Sequence, residues 1–263
     1  MGDDDYMHEE YNDRPRYRPV AEIGPGELVD ALMTLAGFSE NTFLVMQAHQ
    51  LGMVDNLLNA LEDEVMRNRA DDDPPRDSMA LLGALSHMWI YAAYELQRTW
   101  RQRCEEVIKL ADSGGLDLKA AHLERDLGYQ HYDRELRAEQ LRTAQQRPEL
   151  VAQMRTDLRR TEMGFTMLEF IRVALAKHEV SKKGSKKPPI AFAPGLARQN
   201  RYCGSMEYEM SNGGTIIDTI TRRDIAETIR FIPEAEIPSD DALAGFRAYM
   251  NPPDVDPFAR GRP

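Results

Sequence analysis

The chain of 263 residues is 42% hydrophobic and carries a formal net charge of −11, so it can bury a sizeable core and is too acidic for its whole surface to coat DNA or RNA. Its two cysteines, Cys104 and Cys203, are too few for a disulfide framework and too far apart for a metal or redox motif. These features predict a globular protein of the cytoplasm. The N-terminal "MGDDDYMHEEYNDRPRYRP" lacks the basic start and apolar stretch of a secretory signal. The most apolar window, Met79 to Tyr94, is shorter than a membrane span, contains Ser86 and His87, and runs straight into Glu95. It reads as a buried helix, and no membrane partner is expected.

Residues 1–20 mix acids, arginines, tyrosines and prolines without period and read as a disordered acidic tail. A helical bundle is expected over 21–180. Its first helix starts near Pro25, presents Leu28, Leu32 and Leu35, and stops at Gly37. The second carries Phe43, Leu44, Met46, Leu51, Val54, Leu57, Leu58, Leu61 and Val65, largely three and four apart, with a bend expected at Gly52. The connector "ADDDPPRDS" (70–78) lacks the glycine and terminal glutamate of a calcium loop and reads as a solvated linker.

Ser78 is placed to cap a third helix running to about Ala111, with Leu81, Leu82, Leu85, Met88, Trp89, Ala92 and Leu96 as its apolar stripe. A second stripe runs His87, Tyr91, Tyr94, Glu95, Arg98, Arg101. "DSGG" (112–115) ends this helix, a charged helix extends from about Leu116 into the 140s, and Pro148 begins another that lasts to about Glu179. Long segments with short connections describe an antiparallel bundle.

Residues 181–250 read as a basic loop, a β-hairpin and short helices. "SMEYEM" alternates apolar and polar residues, "TIIDTI" follows, and Asn212-Gly213 between them tolerates the positive φ angles of a tight hairpin turn. Thr221 and Asp224 have capping-box spacing, so "TRRDIAETIRFI" begins a helix, and "SDDALAGFRAYM" forms another. Residues 251–263 form a tail. The fold expected is thus mainly α: an antiparallel helical bundle with a small C-terminal β-hairpin and helix.

The basic residues are unevenly placed. From Lys177 to Met206, seven of them (Lys177, Lys182, Lys183, Lys186, Lys187, Arg198, Arg201) face one acid, Glu179. The window is +6, leaving −17 on the rest of the −11 chain. It reads either as a solvated linker whose lysines offset a helix dipole, or as a seat for RNA or another anionic ligand.

Several chemistries are excluded by spacing. "KKGSKKPP" lacks the Gly-Lys-Ser/Thr end of a phosphate loop, and neither a Rossmann glycine pattern nor a Gly-x-Ser-x-Gly elbow occurs. A zinc protease needs two histidines one turn apart, and "HEVSK" supplies only His178; no histidine has a glutamate three residues before it. His122, His131 and Asp133 read as exposed helix residues rather than ligands. No metal and no cofactor is expected.

One constellation remains. On the helix ending near Glu179, Met167, Leu168, Ile171, Ala174, Leu175 and His178 follow one face. A histidine there caps the terminal carbonyls, or with Arg172 it supplies the proton-transfer group and fixed cation that metal-free RNA cleavage requires. The arrangement "RVALAKHE" resembles the Arg-x(4 to 6)-His motif of the HEPN superfamily, helical-bundle proteins that include many ribonuclease toxins and defence effectors. The resemblance covers about residues 78–180 and leaves the hairpin aside. It implies that Arg172 contacts phosphate, that His178 acts as acid or base, that a polar residue from an earlier helix assists, here Glu95, and that two copies form a homodimer. The spacing recurs in "RDLGYQH" (Arg125, His131), but that match contains Gly128 and lies among charges of both signs. The expectations are a HEPN-like, metal-independent endoribonuclease with Arg172, His178 and Glu95 as catalytic residues, or else a non-catalytic helical scaffold or regulatory module that binds a protein partner.

Overall fold

A computed structural model of the chain describes residues 17–68, 76–176, 197–212 and 215–251. It is mainly helical, with one small antiparallel sheet. After a 3-10 turn at Val20–Glu22 come α1 (Glu27–Met33), α2 (Thr42–Asn68), α3 (Arg76–Asp112), α4 (Leu116–Leu123), α5 (Tyr132–Gln146), α6 (Pro148–Arg160) and α7 (Glu162–Ala176). Strands β1 (Ala197–Gln199), β2 (Met206–Asn212) and β3 (Thr215–Thr221) precede α8 (Arg222–Arg230) and α9 (Asp240–Met250).

Local chemistry accounts for three of the helix starts. The Asn41 side chain accepts the amides of Phe43 and Leu44 at the start of α2. Thr221 and Asp224 form the reciprocal capping box of α8, and Ser239 caps α9. Ser78 lies inside α3, where its hydroxyl donates to Glu64 of α2 instead of capping.

Two long expected helices are each divided. The segment after Leu116 breaks between α4 and α5, where Gly128 takes φ +78° and Asp126 accepts its amide. The helix begun at Pro148 breaks at Thr161, whose hydroxyl donates to the carbonyl of Asp157 and accepts from Arg101. A side chain that competes for helix carbonyls is a common cause of such an interruption. Tyr17 and Arg18, assigned from sequence to the N-terminal tail, are docked: Arg18 bonds Glu27 and Glu227, and the Tyr17 hydroxyl lies 3.5 Å from Asp224.

The two longest helices, α2 and α3, pack antiparallel, since Glu64 is level with Ser78 and Leu51 accepts the indole N–H of Trp89. Along α3 run α6 and α7, both antiparallel to it: Asp112 pairs with Arg155, Arg101 reaches Leu158 and Thr161, and Tyr94 reaches Glu169. The sheet has the order β1-β2-β3, with Tyr208 opposite both Ala197 and Ile220 and a bulge at Met210/Ser211. Tyr208, Met210 and Ile220 join the core formed by Leu58, Trp89, Ile90, Leu96, Trp100, Leu141 and their neighbours. Gly204, before β2, adopts φ +75° with the position of a Cβ only 2.4 Å from the carbonyl oxygen of Glu62, so the β1–β2 turn is seated directly on the backbone of α2.

Candidate functional site

At the seam of α3 and α7 the fold brings together two of the three residues expected to act on substrate. An Arg172 terminal nitrogen is 3.7 Å from a Glu95 oxygen, and its guanidinium carbon is 5.0 Å from the centre of the Tyr94 ring. Tyr94 stacks on Phe165 with centroids 5.5 Å apart, and Arg101 covers the other end of the stack, 4.7 Å from Phe165. Two guanidinium groups therefore sandwich two aromatic rings. The other Glu95 oxygen accepts both Nε and Nη2 of Arg98, at 2.9 and 2.5 Å, and the Tyr94 hydroxyl donates to Glu169. Burial, and then that bond to Glu169, holds the Tyr94 hydroxyl above its ordinary pKa. Burial lowers that of Arg101.

His178 and the lysines at 177, 182, 183, 186 and 187 lie outside the described residues. Of the other cations expected to hold RNA, Arg198 on β1 is paired with Glu207 on β2 at 2.5 Å, and Arg201 lies against its neighbour Tyr202. His122 and His131 are exposed, and no group of three or more metal-ligating side chains occurs among the described residues. The cleft between α3, α6 and α9 is lined by three charge pairs, Arg155 with Asp112, Arg159 with Asp240 and Arg247 with Glu162, together with Glu105 and Lys109.

A different polar cluster is buried completely. Arg222, the first residue of α8, is 0% exposed and bonds Glu62 through Nε and Nη2, Asn59 through Nη2 and Asp55 through Nη1, while its guanidinium lies over Trp89. Arg223 donates twice to the second oxygen of Glu62, at 2.9 and 2.6 Å. Arg230 pairs with Asp55 and with Glu227. Burial opposes the charge of Arg222, but Glu62 and Asp55 more than offset this and raise its pKa; for Arg230 burial prevails and lowers it. With both oxygens of Glu62 occupied, the network is a clamp between α2 and α8 and offers no free base or nucleophile. Beside it the His87 and Tyr208 rings lie 5.6 Å apart, and burial lowers the pKa of His87 and raises that of Tyr208.

Sequence reasoning did not single out this clamp, although a signal was present. Asp55 and Glu62 are seven residues apart on the stripe of Leu51, Leu58 and Val65, and Arg222 and Arg230 share a face with Ile225, Ala226 and Ile229. Acids on one buried stripe and arginines on another imply that the stripes meet.

The opposite side of α2 and α3 corrects an expectation. Phe43, Met46, Leu57, Leu81 and Met88, placed from sequence on apolar stripes, are exposed, as is Met53 at 72%. Because α8 contacts the inner faces of both helices, through Asp55 and Glu62 on α2 and Trp89 on α3, these residues share the outer side. From Thr42 to Ala60 the only formal charge on α2 is the buried Asp55, and from Met79 to Tyr94 of α3 there is none. In a chain 29% charged, this face is both apolar and uncharged. None of the described helices is long and apolar enough to cross a membrane. No family model matches the chain, and neither the curated proteins nor the solved structures compared with it give a match.

Proposed function

We propose that the protein is a non-catalytic helical binding module whose α2–α3 outer face is covered by another polypeptide chain in its working state. The observation that carries this reading is that face itself: large apolar side chains stand exposed on two adjacent helices with no formal charge between them. Exposed patches of this kind on a folded monomer mark interaction sites. Supporting it, the described arginines that could meet a substrate at the α3–α7 seam and on β1 are held by glutamates or aromatic rings of the same chain. The test is a photoreactive amino acid placed at position 53, at 88, or at the exposed control position 125, in cells that produce the protein. Discrete polypeptide adducts at 53 and 88 and none at 125 are expected; no adduct at any position overturns the reading.

One observation favours a second reading, the HEPN-like metal-independent ribonuclease. Arg172 stands beside Glu95 at the end of α7, the helix that leads into the lysine-rich segment. In that reading Arg172 holds phosphate and His178 moves the proton. RNA incubated with the protein in chelator should then be cut, and the cutting should disappear in both Arg172→Ala and His178→Ala while helical circular dichroism persists. Intact RNA removes this reading.

A further inference from the structure

The binding-module reading leaves open what covers the outer face. We propose that the occupant is a second copy of this chain, docked about a two-fold axis with α2 antiparallel to the same helix of the partner subunit; the inference rests on that reading.

The first argument is the spacing of the exposed stripe. Phe43, Met46, Gln50, Met53, Leu57 and Ala60 are all exposed and follow one another at intervals of three, four, three, four and three. This is the pattern of a coiled-coil seam, and it reads the same from either end. An isologous contact requires a surface that is its own complement. With the axis between Leu51 and Gly52, Phe43 meets Ala60 of the partner subunit, Met46 meets the partner's Leu57, and Gln50 meets the partner's Met53. The largest side chain of the stripe, Phe43, which stays 39% exposed while its ring meets Tyr132 of its own chain edge-on, thus falls opposite the smallest, and the other pairs are matched in length. The spacing alone would suit any partner helix; the matching of side-chain sizes across the axis is what a second copy requires.

Charge leaves the seam open to a second copy. Nothing charged lies inside it, and at its ends Glu40 falls opposite the partner's Asp63, an acid already paired with Arg67 of its own chain. Gln50, the one polar residue of the stripe, lies within two residues of the axis. Its amide therefore falls near the partner's Gln50, and a single polar residue in an apolar seam is a means of setting register.

Area also agrees. At roughly 200 Å² for a fully exposed large side chain, the exposed fractions of Phe43, Met46, Met53, Leu57, Leu81 and Met88 leave on the order of 600 Å² of apolar surface. A standard interface takes about 800 Å² from each partner. The exposed α2 glutamines and the exposed small residues Ala60, Ala84 and Ala92 extend the face beyond that apolar area. Leu81 and Met88 of α3 flank the seam, Met88 being level with Met53 in the antiparallel α2–α3 alignment.

The full-length protein should sediment at twice the 30.0 kDa chain mass. Met53→Glu should weaken self-association by roughly thirtyfold or more with unchanged helical circular dichroism. Gln50→Cys, near the axis, should form an inter-chain disulfide on mild oxidation, and the exposed control Arg125→Cys should not. A monomer at all accessible concentrations overturns the proposal, as does a dimer indifferent to Met53→Glu and not trapped by Gln50→Cys. If the protein is monomeric but photoadducts at position 53 have the mass of a different polypeptide, self-association falls and the binding-module reading stands. If there is neither dimer nor adduct, both fall.

Discussion

Among single residues, Glu62 carries the most consequence. It is fully buried, and its two oxygens serve Arg222 and Arg223 separately. Removing its charge leaves buried guanidinium groups with too few carboxylates, and breaking such a pair from one side costs about 3–5 kcal/mol. Glu62→Gln, nearly equal in volume, is expected to lose that much in chemical denaturation. Glu95→Gln is the matched control: Glu95 and Arg98 keep 45% and 41% of their side-chain surface exposed, so solvent screens the pair and the loss should stay below about 1 kcal/mol. Equal losses at the two positions would show that burial is not what sets the strength of the clamp. Its members could be read individually as polar residues on apolar stripes. Which carboxylate serves which arginine could not, because Glu62 and Arg222 are 160 residues apart and periodicity reports only which face turns inward.

At the level of elements, α9 separates packing from surface charge. It is held by the buried Leu243 and Met250 and by ion pairs of Arg247 with Glu162 and of Asp240 with Arg159. Arg247 is 65% exposed in its side chain and Asp240 91%, so these pairs hold little. Leu243→Ala should cost about 3 kcal/mol and Arg247→Ala less than about 0.5 kcal/mol, measured by thermal or urea unfolding. If the arginine variant proves the more damaging, α9 is held by charge. Element types were legible in sequence wherever the signal was local: the apolar periods of α2 and α3, the Thr221–Asp224 box, and the alternation of β2. Strand β1 was missed because its three residues, Ala-Arg-Gln, show no alternation and are extended through pairing with Met206 to Tyr208. The break at Thr161 was missed because it involves Arg101 from another helix.

For the molecule as a whole, the two thiols report how completely the elements close. Burial pushes Cys104 up to about 12 and Cys203 up to about 11, and both are buried, Cys104 within the hydrophobic core and Cys203 in the β1–β2 turn. A thiol reacts as its thiolate, so alkylation of the native protein at mildly alkaline pH should be far slower than that of the unfolded chain. Both sites should be labelled together as denaturant unfolds the protein. Labelling of Cys203 well before Cys104 would show that the sheet and the β1–β2 turn open independently of the helices.

The sequence alone determined the mainly helical class, the positions of most helices and of the hairpin, and the absence of common cofactor motifs, because each depends on residues within a few turns of one another. Only tertiary structure decided which side of each broad apolar stripe was covered. Leu58 is buried and Leu57, its neighbour on the same helix, is exposed, because α8 and the sheet pack against one side of the α2–α3 pair, while on the other the start of α5 reaches only the Phe43 end, through Tyr132. Hydrophobicity determines that a helix face favours burial; where the remaining elements end determines whether this chain can cover it.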